Sequence, residues 1–215
     1  FDPLNGISDL QNGRIKFIGS SEKRIQEDYL RILRYFRFFI QYSKIDYDQK
    51  IIRLIKRYIN GLNKISNERI FDELEKILTL KNAHSLFSHN DSKEIIVNIF
   101  PQFKYYERLK IINNLNQKLK SKYDNHLILA VLILDQTNNY EYFCHKYKTS
   151  NRIKNRFKNI SANFENLKNK KSRDMYDIHL ILAVLILDQT NNYEYFCHKY
   201  KTSNNIKNRF KNISI

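Results

Sequence analysis

Apolar and charged side chains between residues 21 and 42 repeat with the 3.6-residue period of an α-helix. At 100° per residue, the apolar side chains fall on one arc and the charged ones on the opposite arc. The apolar arc carries Ile25, Tyr29, Ile32, Phe36 and Ile40, and the charged arc carries Arg24, Glu27, Asp28, Arg31 and Arg34. This pattern predicts one amphipathic helix with a buried stripe and a charged face.

An acid and a guanidinium lie three positions apart on that predicted helix, at Asp28 and Arg31. Residues at this spacing share a helix face. A carboxylate only accepts hydrogen bonds and a guanidinium only donates them. The pair therefore matches the Watson–Crick edge of cytosine or adenine, whereas uracil and guanine would set a ring N–H against Arg31. The alternative is an ordinary surface ion pair of Arg31 with Glu27, which contributes about 0.3 kcal/mol.

The segment before this helix carries a turn signal. Asn12-Gly13 lies between two short runs of mixed polarity, a pattern typical of a β-hairpin. We expect a hairpin over residues 6–18 whose edges have no sheet to join in this chain.

The order of these motifs resembles the bacterial tRNA nucleotidyltransferase (CCA-adding enzyme) and poly(A) polymerase family. In that family, an Asp-Pro…Gly…Asp-Leu stretch ends the catalytic head, and residues 2–19 are similar to it. A helix with Glu-Asp-x-x-Arg and Leu-Arg-x-x-Arg-Phe then begins the neck, as in residues 27–38 here. Residues 66–78 resemble the next neck helix, so the resemblance covers residues 1–105.

The resemblance implies nucleotide-binding roles for five residues, which are Asp2, Arg24, Asp28, Arg31 and Arg34. Asp28 and Arg31 would bind the base of incoming CTP or ATP, and the two other arginines would line the same pocket. Asp2 would lie in a flexible segment that adjusts the pocket between C and A. Alternatives remain, since Asp2 before Pro3 is also a typical turn residue and Arg34 also suits a solvated basic flank.

The family's catalytic machinery has no counterpart in this sequence. Phosphoryl transfer of this kind uses Mg²⁺ held by carboxylates, and the family supplies them from a Gly-rich turn and an Asp-x-Asp pair in a β-sheet head. This chain has only four glycines, and its one Asp-x-Asp, at residues 46–48, precedes a predicted helix as a cap would. With Phe rather than Met at residue 1, this predicts a fragment without the head.

Such a fragment would contain no catalytic and no metal-binding residue and would be inactive alone. Mg²⁺ and ATP or CTP are implied for the complete enzyme only. A separate polypeptide is one source of the missing head.

The charge balance favours a polyanionic partner. The net charge is +16, and release of counterions from RNA phosphates would drive binding to a tRNA or an mRNA 3′ end. A membrane is not expected, because the longest apolar run, residues 127–134, is too short to span one and no signal peptide leads the chain. Cys144 and Cys197 form neither a metal motif nor a disulfide framework, which indicates the reducing cytoplasm.

Residues 123–161 and 176–214 are nearly identical, and they differ only at Asn125/Ile178 and Arg152/Asn205. Repeats that serve a structural role normally diverge at the surface, so this near-identity indicates a recent duplication. Each copy predicts a buried apolar helix, a short aromatic helix and a capped basic helix.

A basic patch in the first copy is the candidate RNA-binding surface. It comprises Lys146, Lys148, Arg152, Lys154 and Arg156. Tyr147 and Phe157 are interleaved with these cations. Phosphate contact is one interpretation of the patch, and a solvated helix face is the other.

Together these features predict an all-α fold, an irregular helical array with an N-terminal hairpin remnant. The predicted domains are the hairpin at 1–20, a neck at 21–105, a body with the first copy at 106–162 and the second copy at 163–215. Helices are expected near 21–42, 48–60, 67–80, 92–99 and 104–120. The predicted function is a fragment of an RNA 3′-end nucleotidyltransferase. The alternatives are a non-catalytic RNA-binding module and a decayed gene product.

Overall fold

The computed structural model describes residues 2–109, 125–135 and 137–168, and their regular elements are all helical. The contacts of the chain divide it into two compact units. One is Phe1–Lys104 with His145–Thr149, and the other comprises Tyr105–Cys144 and the residues from Ser150 onward. The predicted all-α fold is confirmed for the described part of the chain.

The helices are short and closely spaced. They are α1 (Gly6–Asn12), α2 (Ser21–Glu27), α3 (Arg31–Tyr42), α4 (Gln49–Tyr58), α5 (Asn67–Leu78), α6 (Asn90–Ile99), α7 (Asn125–Ile133), α8 (Asn139–Lys146) and α9 (Asn151–Lys168), with 3-10 helices at Ile59–Lys64 and Ala83–Phe87. The predictions for 48–60, 67–80 and 92–99 correspond to α4, α5 and α6. Most of the prediction for 104–120, and the second repeat copy, lie outside the described residues.

The core of the first unit forms where α3 packs on α5 and α2 packs on α4. Ile25, Ile32 and Phe36 of the predicted apolar arc are completely buried. Ile55 of α4 and Ile77 of α5 are also completely buried. The period therefore identified three of its five apolar residues as core, whereas Tyr29 and Ile40 are only partly buried.

The single helix predicted over 21–42 is wrong, because the chain turns between α2 and α3. Asp28 ends α2 in an extended conformation, with φ −152° and ψ 102°. Its Oδ1 accepts the N–H of Leu30 at 3.2 Å, which satisfies a backbone donor that a helix start leaves open. The Tyr29 ring lies so close to Gly61 that a Cβ there would be 2.1 Å from it. These contacts stabilise a turn at this point, although the period of the sequence favours a continuous helix.

The hairpin predicted over 6–18 is also wrong, since residues 6–12 form α1. Gly13 has φ 63° and ψ 33°, and its N–H donates to the carbonyls of Asp9 and Leu10 at the end of the helix. A two-residue hairpin turn and a helix C-terminus both need a residue with positive φ, so Asn12-Gly13 suits either. The Asp2 carboxylate stabilises the start of the helix, because it accepts hydrogen bonds from the N–H groups of Gly6 and Ile7, each at 2.8 Å.

Two predicted caps are confirmed. Asp48 Oδ1 accepts the N–H of Lys50 at 2.8 Å at the start of α4, so this Asp-x-Asp acid is a helix cap. Ser150 Oγ accepts the N–H of Ile153 at 3.4 Å at the start of α9.

In the second unit, α7 is buried nearly all round, and it packs against α9. Its C-terminal carbonyls receive a basic side chain, as helix ends commonly do. The Arg108 guanidinium donates to the carbonyls of Leu134 at 3.1 Å and Val131 at 3.4 Å. No helix in the described part of the chain is both long and apolar enough to cross a bilayer.

The segment His145–Thr149 belongs to the first unit. Tyr147 is 1% exposed. Its hydroxyl donates to the Ile99 carbonyl at 3.3 Å, and its ring centre is 5.6 Å from that of Phe100. Beside it, Lys148 Nζ is 2.7 Å from Glu68 Oε1. Tyr147 and Lys148 thereby anchor this segment to the helices of the first unit.

Candidate functional site

Asp28 is held at the junction of α2 and α3 by partners from three other positions. Its Oδ2 lies 3.1 Å from Arg69 Nη2 of α5 and 3.7 Å from Arg34 Nη1 of α3. Its Oδ1 accepts the N–H of Leu30. A carboxylate has about four lone-pair sites, and the side chain is 21% exposed. Asp28 is therefore oriented without losing its capacity to accept a further hydrogen bond.

Arg31 is held on the other side of the junction. Its Nη1 donates to Glu27 Oε2 at 2.7 Å and to the Arg24 carbonyl at 2.6 Å. The hydrogen bond from Arg31 is the largest of the interactions that hold the pKa of Glu27 below its usual range. Arg24 also pairs with Glu27 through its guanidinium. Glu27 thus fixes two of the arginines that the resemblance assigns to a pocket.

Glu73 is the most buried carboxylate near the junction, at 2% exposure. Arg37 Nε donates to its Oε1. Arg34 Nε is 3.8 Å and Lys76 Nζ 3.7 Å from its Oε2. A buried charge requires such partners. Because Arg34 faces Glu73 with one nitrogen and Asp28 with another, it links the core of the unit to the junction.

The structure thus brings four of the five predicted nucleotide-binding residues to one junction but divides them between two anchors. Asp28 and Arg34 meet at the α5 side, and Arg24 and Arg31 meet at Glu27. Asp28 and Arg31 do not share one helix face as the spacing predicted. Asp2 instead accepts backbone N–H groups at the start of α1. The nucleotide-binding role of all five remains a prediction.

Sequence reasoning missed Arg69 and Glu73 as part of this site. A signal was present, because Glu73 lies on the same arc of α5 as the buried Ile70 and Leu74. An acid within an apolar stripe must find cations. The sequence does not say which cations these are.

An exposed aromatic pair is a second feature that was not predicted. Phe38 and Tyr42 are 39% and 43% exposed, and their rings stack with centres 6.2 Å apart. The Arg37 guanidinium carbon lies 4.3 Å from the Phe38 ring centre. Exposed stacked rings beside a guanidinium can receive an unpaired nucleobase.

The predicted RNA-binding patch is divided between the two units, and its aromatic side chains are not available for stacking. Tyr147 and Phe157 are both buried. In the first unit, Lys148 is paired with Glu68 and Lys146 Nζ lies 5.1 Å from the Tyr147 ring centre. The cations in the second unit are Arg152, Lys154 and Arg156 of α9, and the first two are exposed. Phosphate contact by these cations remains a prediction.

The described residues do not fit a Mg²⁺ site. Within the ranges that the structure describes, no three acid, His or Cys side chains lie where they could hold one metal ion together. The described residues therefore supply no set of ligands through which Mg²⁺ could act.

Residues 46–107 match a protein family described as a probable RNA and SrmB binding site of polymerase A. This match begins at the loop before α4, so it covers Arg69 and Glu73 but not the α2–α3 junction.

Several nucleotidyltransferases are similar to this chain. CCA tRNA nucleotidyltransferase 1, mitochondrial, of Mus musculus is 50% identical over 91 residues, which are 40% of this chain and 20% of the relative. The CCA-adding enzyme of Staphylococcus aureus strain Newman is 29% identical over 86% of this chain and 46% of its own length. That of Lactococcus lactis strain SK11 is 27% identical over 86% and 45%. The chain thus spans less than half the length of these relatives.

Proposed function

We propose that this chain selects nucleotides and binds RNA for 3′-end nucleotide addition. The basis is that it belongs to the CCA-adding enzyme and poly(A) polymerase family and corresponds to its C-terminal part. The observation that supports this most directly is the α2–α3 junction. There Asp28 and Arg31 are each oriented by their own counter-charge, Arg69 and Glu27 respectively. Mg²⁺ and the triphosphate of CTP or ATP would be held by the rest of a complete enzyme.

Base selection would follow from the chemistry of the two side chains. The Asp28 carboxylate accepts a hydrogen bond from the amino group of cytosine or adenine, and Arg31 donates to the neighbouring ring nitrogen. Uracil and guanine place a ring N–H there, which leaves the guanidinium opposite a donor. Arg69 already orients Asp28, and Glu27 already orients Arg31. Binding of a base therefore costs little additional conformational entropy.

RNA binding would rest on the positive surface of the chain. Arg152 and Lys154 are exposed on α9, and the net charge of +16 supports contact with phosphates. The name of the Mus musculus relative indicates tRNA as the RNA. A poly(A)-adding role uses the same two properties and is the alternative within the family.

The test of base selection supplies the catalytic head of a relative as a second polypeptide. Nucleotide incorporation into tRNA that lacks its CCA end is measured with CTP, ATP, UTP and GTP in turn. We expect Asp28→Ala and Arg31→Ala to reduce the preference for C and A more than they reduce thermal stability. Arg53→Ala is the matched control, because Arg53 donates to its own helix at the Gln49 carbonyl.

Two outcomes would count against base selection by this pair. One is unchanged C and A preference in the Arg31→Ala variant. The other is an equal change in the Arg53→Ala control, which would indicate a general effect of lost positive charge.

An RNA-binding module without nucleotide addition is the second candidate function. The match of residues 46–107 to a family described by RNA binding favours it. Salt-dependent tRNA binding without any incorporation in the presence of the head would support this module. Absence of salt-dependent binding would contradict both functions and favour a decayed gene product.

We propose the cytoplasm as the compartment for either function. The two cysteines of the sequence have neither metal-motif nor disulfide-framework spacing, which suits a reducing compartment. Localisation of the tagged chain by microscopy tests this, and recovery in mitochondria, the compartment named for the Mus musculus relative, would contradict it.

A further inference from the structure

Within the first unit, the segment His145–Thr149 of the first repeat copy contacts a small acceptor site. This site consists of the Ile99 carbonyl, the Phe100 ring and the Glu68 carboxylate. Tyr147 fills it and is 1% exposed, with its hydroxyl 3.3 Å from the Ile99 carbonyl oxygen. Lys148 completes the contact through its 2.7 Å ion pair with Glu68.

Every side chain that the first copy brings to the acceptor site recurs in the second copy. Tyr200 corresponds to Tyr147 and Lys201 to Lys148, within the identical segments 145–149 and 198–202. The two positions that differ between the copies are elsewhere. Arg152 is exposed on α9, and Asn125 is the first residue of α7. The acceptor site therefore has no chemical basis for preferring the first copy.

The same holds for the contact made inside the second unit. Arg108 donates to the carbonyls of Val131 and Leu134, and these backbone groups recur in the second copy at Val184 and Leu187. The sequence around these two carbonyls, residues 126–151, is identical to residues 179–204.

We propose that the two copies compete for the acceptor site within one chain, so that Tyr200 and Lys201 replace Tyr147 and Lys148 in a fraction of molecules. The residues that reach the acceptor site are the same in both copies, so chain connectivity is what distinguishes the copies there. The segment between Phe100 and the docked tyrosine roughly doubles in length when the second copy binds. A longer connection lowers the probability of docking, so the second copy occupies the site less often than the first.

A carbodiimide that couples contacting carboxylates and amines reports which copy is bound. Activation of Glu68 followed by attack of a lysine amine leaves an amide between the two side chains. Trypsin then separates the products, because Lys148 lies in Tyr-Lys-Thr-Ser-Asn-Arg and Lys201 lies in Tyr-Lys-Thr-Ser-Asn-Asn-Ile-Lys. We expect both products in a chain of monomer mass, with the Lys148 product the more abundant of the two.

Matched variants sharpen the measurement. Tyr147→Ala removes a buried aromatic ring and should reverse the ratio by more than about tenfold in favour of Lys201. Tyr200→Ala should leave only the Lys148 product. Lys148→Arg keeps the charge but removes the reactive amine, so it should retain the fold and show the Lys201 product alone.

Three results would overturn the proposal. The first is no Lys201 product in Tyr147→Ala or in Lys148→Arg. The second is global unfolding of Tyr147→Ala, since a replacing copy would keep the acceptor site filled. The third is a Glu68–Lys201 product found only between two chains, which would indicate exchange between molecules rather than within one.

Discussion

The α2–α3 junction and the basic face of α9 are both charged, yet their charges are organised differently. At the junction, Asp28 is held by Arg69 and Arg31 by Glu27. A buried acid, Glu73, contacts the same region through Arg34. On α9, cations such as Arg152 are exposed. A charge fixed by a partner has a defined direction and can discriminate between bases. An exposed charge on a flexible side chain adds affinity for phosphate without selecting a sequence.

The largest expected effect concerns the buried acid of the junction. Glu73→Gln should lower the free energy of unfolding by about 3 kcal/mol, because it leaves Arg34 and Arg37 without a buried counter-charge. Urea denaturation measures this loss. Glu94→Gln is the control, since Glu94 is 67% exposed in its pair with Lys56 and such surface pairs contribute about 0.5 kcal/mol or less. Equal losses in both variants would remove the distinction between fixed and exposed charges.

The next largest effect concerns the turn that presents Asp28. Gly61→Ala should destabilise the chain by about 2 kcal/mol, because its Cβ would lie 2.1 Å from the Tyr29 ring. Adding Tyr29→Ala to Gly61→Ala removes the collision, so the double variant should lose less stability than the two single losses combined. Thermal unfolding of all three variants tests this. Additive losses would show that the Tyr29–Gly61 contact does not shape the turn.

A smaller effect separates the two regions by their response to salt. Arg152→Gln and Lys154→Gln should each reduce the slope of log K for tRNA against log salt by about one if each contacts a phosphate. Arg31→Gln should leave that slope nearly unchanged, because its charge is paired with Glu27. Filter binding across a salt series measures the slopes. If Arg31→Gln reduced the slope as much as Arg152→Gln does, the junction and α9 would both be binding phosphate, and the distinction between them would be wrong.

The smallest effect is a pH dependence of the Arg31 contact. The pKa of Glu27 lies below its ordinary 4.5 because Arg31 stabilises the carboxylate. A depressed pKa means that the contact is complete above pH 4.5 and is lost as the pH falls through the lower value. The side-chain N–H signals of Arg31 in NMR spectra should therefore change only below pH 4.5. In Glu27→Gln this transition should be absent, and a change centred above pH 4.5 would contradict the assignment.

Much of the fold was predictable because helix-forming patterns are local. The period of Ile25, Ile32 and Phe36 correctly identified the buried face, and Asp48 and Ser150 were identified as caps from their positions. The break after Glu27 was not predictable. It depends on Tyr29 meeting Gly61, more than thirty residues away in the sequence.

The candidate site was predictable only in its residue types. The resemblance and the spacing indicated Asp28 and Arg31, and the structure places both at one junction. The single-face geometry inferred from their spacing was wrong, since it assumed an unbroken helix. Glu73 was signalled by its place in the apolar stripe of α5, but the pairing of Arg69 and Glu73 with the junction leaves no periodic signal in the sequence.

The sequence by itself determined the helical class, the apolar stripes, the positive charge and the near-identity of the two repeat copies, because each is a property of residue type and local order. Only the tertiary structure decided that Asn12-Gly13 ends a helix, that the chain turns at Asp28, and which cation each acid meets. These choices lie between local conformations of similar energy. Contacts between residues far apart in the chain, such as Arg69 with Asp28, contribute enough free energy to favour one local conformation over the other.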